Sequence, residues 1–210
     1  MKLVLIGATG MIGSRVLDEA VRRGHTVTAV ARNTAGLAER AGVTARTGSV
    51  FDAGFLADVA AGADVVISAI SPRVSPEGTL ADAARRLLDA ARTAGVRLAV
   101  VGGAGSLEVA PGVLLVDTPD FPEAYQAEAR AQRDALEVVR AEGADVEWTF
   151  LSPAAEIAPG ERTGRFRLGG DQLLVDAAGT SRISAEDYAV ALLDEVEKPA
   201  HTRQRFTVAY

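Results

Sequence analysis

Gly7, Gly10 and Gly13 stand at G-x-x-G-x-x-G spacing within KLVLIGATGMIGSRVLDEAVRRG. An apolar run leads into these glycines, and a helical pattern leads out of them. A turn of this kind brings an anion onto the backbone. Gly7 allows the tight turn, and Gly10 lets a pyrophosphate reach N–H groups at a helix N-terminus. Gly13 lets that helix pack close to the preceding strand. Thr9, Met11 and Ile12 are expected beside the same phosphates. The run VTAVARN ends where an Asp or Glu would accept a hydrogen bond from a ribose 2′-hydroxyl. Arg32 and Asn33 stand there instead, and the nearest acid is Glu39. A guanidinium suits a 2′-phosphate, so NADP(H) is expected, with NADPH preferred to NADH. The competing reading is a solvated arginine at a strand end.

Three further stretches carry candidates. Ser49 and Val50, in TGSVFD, could flank an adenine, while Asp52 reads as a helix cap. Ala69, Ile70 and Ser71, in ISAISP, could line the path from ribose to nicotinamide or be ordinary loop residues. In AVVGGAGSLEVAPG, a second glycine-rich stretch (Gly102, Gly103, Ala104 and Gly105) ends at Ser106. The Ser106 hydroxyl could donate a hydrogen bond to a substrate carbonyl, or it could cap a turn.

Positioning these residues requires a repeated strand–helix rhythm, and the chain has one. Short apolar runs that barely alternate lie at residues 2–6, 26–31, 43–47, 64–68, 97–101 and 146–151. They read as strands buried on both faces of a parallel sheet. Helical patterns lie between them at residues 11–23, 34–40, 53–60, 76–94 and 122–142. The expectation is a single α/β domain over residues 1–210, a doubly wound, mainly parallel sheet with right-handed crossovers. The last sixty or so residues change character. TGRFRLGGDQLLV is broken by glycine, SAEDYAVALLDEVEK is a helix with Ser184 as N-cap, and RQRFTVAY is a final strand. This part, from about residue 152 to 210, is expected to cover one end of the sheet and contribute to a substrate cleft.

Composition excludes several classes. The 210 residues carry 22 basic and 28 acidic side chains, a net charge of −6, which disfavours a nucleic-acid surface. No apolar run is long enough for a membrane span, and no signal peptide precedes Lys2. There is no Cys and there are only two His, so no metal site is expected. A cytoplasmic protein fits, acting on a small molecule as a monomer or homodimer.

The motifs GATGMIG, ARN, VVGGAGSLEV and TFLSPAAEIAPGERTG resemble the atypical short-chain dehydrogenase family, in its small NAD(P)H-binding, NmrA-like or NADH-flavin-reductase-like branch. The resemblance covers the whole chain. It implies a Rossmann core and a pyridine nucleotide, with the cleft above the strand C-termini and Gly102–Ser106 beside the nicotinamide. It also implies backbone contacts from Ser152, Pro153 and Ala154 to the carboxamide. Ser106 fits the family's catalytic Ser, and Tyr125 is the candidate Tyr. Four residues after Tyr125 stands Ala129, however, where the family has Lys. The only lysines are Lys2 and Lys198, so nothing obvious activates Tyr125. Arg162, Arg165 and Arg167 could receive an anionic group or form a solvated face. Three functions remain: a reductase of flavin-like or quinone-like acceptors, a carbonyl or alkene reductase using Ser106 and Tyr125, and a non-enzymatic NADP(H) sensor. The missing lysine favours the first and third.

Overall fold

A computed structural model describes residues 1–37, 40–71 and 76–210. In chain order the elements are β1 (Lys2–Ile6), α1 (Met11–Arg22), β2 (Thr26–Ala31), β3 (Val43–Thr47), α2 (Ala53–Ala60), β4 (Val65–Ser68), α3 (Leu80–Ala94) and β5 (Arg97–Val101). There follow β6 (Glu108–Ala110), β7 (Val113–Leu114), α4 (Glu123–Glu142), β8 (Trp148–Ser152), β9 (Glu156–Ala158), β10 (Arg167–Gly169), β11 (Arg182–Ser184), α5 (Ala185–Glu197) and β12 (Gln204–Ala209).

The main sheet has the order β10-β12-β8-β5-β4-β1-β2-β3. Every pairing in it is parallel except β10 with β12. The apolar runs produce this arrangement directly, because a strand buried on both faces needs apolar residues at every position. Leu3 and Leu5 of β1 enter the layer that α1 and α5 cover, while Val4 and Ile6 enter the layer under α2, α3 and α4. The direction of winding reverses between β1 and β4, so the loops after these two strands diverge and leave a crevice.

Helices α2, α3 and α5 start at side-chain caps, whereas α4 begins at Pro122 without one. Asp52 accepts from Phe55 N, Thr79 and Asp82 form a reciprocal capping box, and Ser184 accepts from Asp187 N. Each such cap is worth about 1 kcal/mol. Helix α1 differs: it has no side-chain cap and no acid in its first turn.

The expected helix over residues 34–40 does not form among the described residues. Asn33 Oδ1 accepts from Ala35 N, and Leu37 N donates to Thr34 O, giving a turn. Asn33 thus supplies a local alternative to helical hydrogen bonds. Ala38 and Glu39 lie outside the described residues, as do residues 72–75. The C-terminal part also departs from the expected cover. Strands β12 and β10 extend the main sheet beyond β8, and α5 packs on α1 within the core. FTVA in β12 is apolar enough to be buried on both faces, which draws it into the sheet. No helix among the described residues is long and apolar enough to cross a membrane.

Candidate nucleotide site and its surroundings

A cleft of about 590 Å³ opens above the C-terminal ends of β1 to β5. Its floor is the loop that follows each strand: Gly7–Ile12 after β1, Arg32 after β2, Gly48–Phe51 after β3, Ala69–Ser71 after β4 and Gly102 after β5.

The first glycine turn is built as its spacing suggests. Gly7 has φ +87°, and a Cβ on it would lie 2.5 Å from Ala69 O across the crevice. A Cβ on Gly13 would lie 2.0 Å from Gly7 O, so only glycine lets α1 sit this close to β1. Gly10 has ordinary backbone angles (φ −70°, ψ 168°) and faces the cleft; its nearest Cβ neighbour would be Gly7 O at 3.4 Å. Two of the glycines are therefore fixed by packing, while the third is open towards the cleft. The uncapped, acid-free start of α1 leaves a positive helix end beside Gly10, which fits a pyrophosphate.

Arg32 is exposed at the cleft and has no ion-pair or hydrogen-bond partner among the described residues. Most arginines that follow in the chain are paired, as Arg40 is with Asp18 and Arg46 with Asp58. An unpaired guanidinium at this edge is free to take a phosphate. Ser49 donates to Glu77 Oε2 at 2.9 Å, and Phe51 covers Gly78. These contacts bring the segment before α3 onto the loop after β3. The sequence reading missed Phe51, Glu77, Gly78, Thr79, Leu80 and Ala83 as cleft residues. The Thr79–Asp82 capping box was the available signal, because it fixes where α3 begins.

The second glycine stretch answers to packing. A Cβ on Gly102 would lie 2.0 Å from the Phe150 ring, and one on Gly105 would lie 2.6 Å from Ala129 Cβ. Ala129, where the family motif has Lys, is thus pressed against this loop and has no room for a long side chain. Gly105→Ala is expected to lower stability by roughly 1–3 kcal/mol through overpacking, read as a shifted urea midpoint.

Ser106 does not line the cleft. It is 7% exposed, and its Oγ accepts from Arg205 Nη1 at 3.4 Å. Its carbonyl accepts from Arg205 Nη2 at 3.3 Å. Arg205 comes from β12 and is itself buried. Burial pushes its guanidinium below the usual range, against the opposing pull of Asp171, which accepts from Nε at 2.6 Å. Ser152 is fully buried behind the same guanidinium, and Pro153 and Ala154 are buried after it. With β12 inserted beside β8, the end of β8 becomes interior. Ser152, Pro153 and Ala154 therefore lie off the cleft wall, as do Asn33, Gly103 and Ala104. Tyr125 is 62% exposed on the first turn of α4 and also lies off the wall.

The other arginine candidates serve the fold. Arg162 pairs with the buried Glu19 carboxylate at 2.9 Å, and Arg167 donates to the carbonyls of Tyr210 and Val175. Arg165 is exposed, away from the cleft.

Strand order, switch-point crevice and glycine turn define a dinucleotide-binding doubly wound protein of the Rossmann type. The chain belongs to the NAD(P)H-binding family, whose model matches residues 7–196. The family is oxidoreductase-like, of the atypical short-chain dehydrogenase kind. A Burkholderia pseudomallei protein provisionally named as exported is 53% identical, with a TM-score of 0.90 and all of both chains covered. A Bacteroides thetaiotaomicron protein provisionally named an epimerase is 42% identical, with a TM-score of 0.93, covering 100% of this chain and 96% of that one. A Streptococcus pneumoniae protein provisionally named an NADH-flavin reductase is 36% identical, with a TM-score of 0.85, covering 100% and 99%.

Proposed function

We propose that the chain is an NADPH-dependent reductase of a flavin-like or quinone-like acceptor, working in the cytoplasm. The observation that carries this reading is that the Ser, Tyr and Lys of the family's proton relay are not assembled at the β5 end of a well-formed nucleotide cleft. Ser106 is turned inward onto Arg205, Tyr125 is exposed off the cleft wall, and Ala129 stands in place of Lys. Reducing a ketone requires a proton on the forming alkoxide. A flavin or quinone can be protonated from solvent after reduction or remain anionic, so positioning carries most of the rate. The Streptococcus pneumoniae relative's name supports the same class of acceptor.

On this reading Gly10 and the start of α1 hold the pyrophosphate, Arg32 holds the 2′-phosphate, and Ser49 and Val50 border the adenine. Ala69, Ile70 and Gly102 line the way to the nicotinamide. The bound nucleotide supplies the hydride. The chain's residues orient the two rings and exclude water between them. Steady-state kinetics of Ser106→Ala and Tyr125→Phe test the reading. Each variant is expected to keep kcat within about threefold, with Ser106→Ala losing about 1 kcal/mol of stability through its weak bond to Arg205. A thousandfold loss of kcat in Tyr125→Phe would make Tyr125 a proton donor and favour a carbonyl reductase.

A further inference from the structure

Helix α4, which packs on the second glycine stretch, contributes two polar side chains to the cleft wall, Glu128 and Gln132. They are one helical turn apart on one face. Gln132 packs on Gly103, where a Cβ would lie 3.0 Å from its Cβ and Cγ, so the pair stands at the β5 end of the cleft. Arg32, after β2, is three strand spacings away, about 14 Å. The β5 end therefore bears the Glu128 carboxylate, while the β2–β3 end bears Arg32 and the Glu77 that accepts from Ser49.

Gln132 interrupts a core-facing stripe. Ala129, Ala135, Leu136 and Val139 on the same side of α4 are all buried. An apolar residue would continue that packing, yet a glutamine stands there, partly buried and with no hydrogen-bond partner among the described residues. Its neighbour Glu128 is likewise partly buried and unpaired. The other charged side chains in the body and end of α4 are engaged: Arg130 with Asp117, Arg133 with Asp134 and Glu137, Arg140 with Asp171, and Glu142 with Arg85. Among the described residues no polar side-chain atom is both sealed from solvent and unpaired, so this amide and this carboxylate are hydrated in the open cleft and are available to a ligand that enters it.

We infer that Gln132 and Glu128 recognise the acceptor, and that they select an uncharged planar ring with an imide-like edge. This inference rests on the reductase reading above. A carboxamide presents a donor and an acceptor side by side, so Gln132 can engage both a ring C=O and the adjacent N–H. A quinone offers only acceptors and would use half of it. Glu128 keeps anionic acceptors out, because a carboxylate at this end repels a phosphate tail. The ring system of a flavin, without its phosphate, meets both conditions.

Binding of lumiflavin, which is neutral, and FMN, which carries a phosphate, tests this by flavin fluorescence quenching in saturating NADP⁺. The unmodified chain is expected to bind lumiflavin more tightly than FMN. Gln132→Ala and the bulkier Gln132→Leu should each weaken lumiflavin about tenfold, as loss of a hydrogen-bonded pair does. Glu128→Gln should tighten FMN several-fold and change lumiflavin little. Thermal unfolding of each variant confirms that it is folded, and Gln132→Leu fills the stripe if Gln132→Ala loosens it. If the unmodified chain binds lumiflavin and Gln132→Leu binds it equally well, the inference falls and the reductase reading stands. If the chain reduces quinones but binds neither flavin, the imide class is overturned. If it oxidises NADPH with no flavin and no quinone, the reductase reading fails as well.

Discussion

Gly10→Val is expected to weaken NADPH binding by more than about a hundredfold and to leave the fold intact. The two halves of this result have separate causes. The backbone angles of Gly10 are open to any residue, and a Cβ there meets its nearest neighbour at an ordinary 3.4 Å, so the turn can form. The branched methyls would then stand over the uncapped start of α1, where the pyrophosphate must reach the N–H groups. A hundredfold loss corresponds to about 2.7 kcal/mol, the size expected when several charge-assisted hydrogen bonds lengthen together. Gly13→Val is the contrasting control. Its Cβ would overlap Gly7 O at 2.0 Å, so it should fail by unfolding. Titration calorimetry beside circular dichroism separates the two. Native spectra with undiminished NADPH affinity in Gly10→Val would remove the pyrophosphate from this turn.

The second large effect concerns Arg32. NADPH should bind about 10- to 100-fold more tightly than NADH, because a charge-assisted contact is worth roughly 1.5–3 kcal/mol. Arg32→Ala should bring NADPH down to the NADH level and leave NADH within about threefold. Arg32 has no acidic partner among the described residues, so its charge is not already spent. Added salt should narrow the preference, since the contact lies at an exposed edge. Equal affinities of the unmodified chain for the two nucleotides would refute the role given to Arg32.

The sequence made the scaffold legible where a residue's local demand was strong. Gly7 and Gly13 announced a close strand–helix turn, and the continuous apolar runs announced strands buried on both faces. Ser184 announced the start of α5. The second glycine stretch was harder to read. A glycine needed for packing and a glycine needed for ligand approach look alike in a sequence. Only Phe150 and Ala129, distant along the chain, show that Gly102 and Gly105 are of the packing kind. The inward setting of Ser106 was illegible for a related reason. Its partner Arg205 sits 99 positions away on a strand that joins the sheet last, and no local pattern links the two. Gln132 did leave a trace, as a polar residue on an apolar helical stripe, but that trace gains meaning only once α4 is seen to wall the cleft.

The measurement that bears most directly on the proposed activity is NADPH oxidation by the unmodified chain against a matched panel of flavins, quinones and simple carbonyl compounds. The account predicts turnover with at least one flavin or quinone, little with ketones and aldehydes, and slower rates with NADH at subsaturating nucleotide. Turnover confined to carbonyl substrates, or no NADPH oxidation with any flavin or quinone, would contradict it.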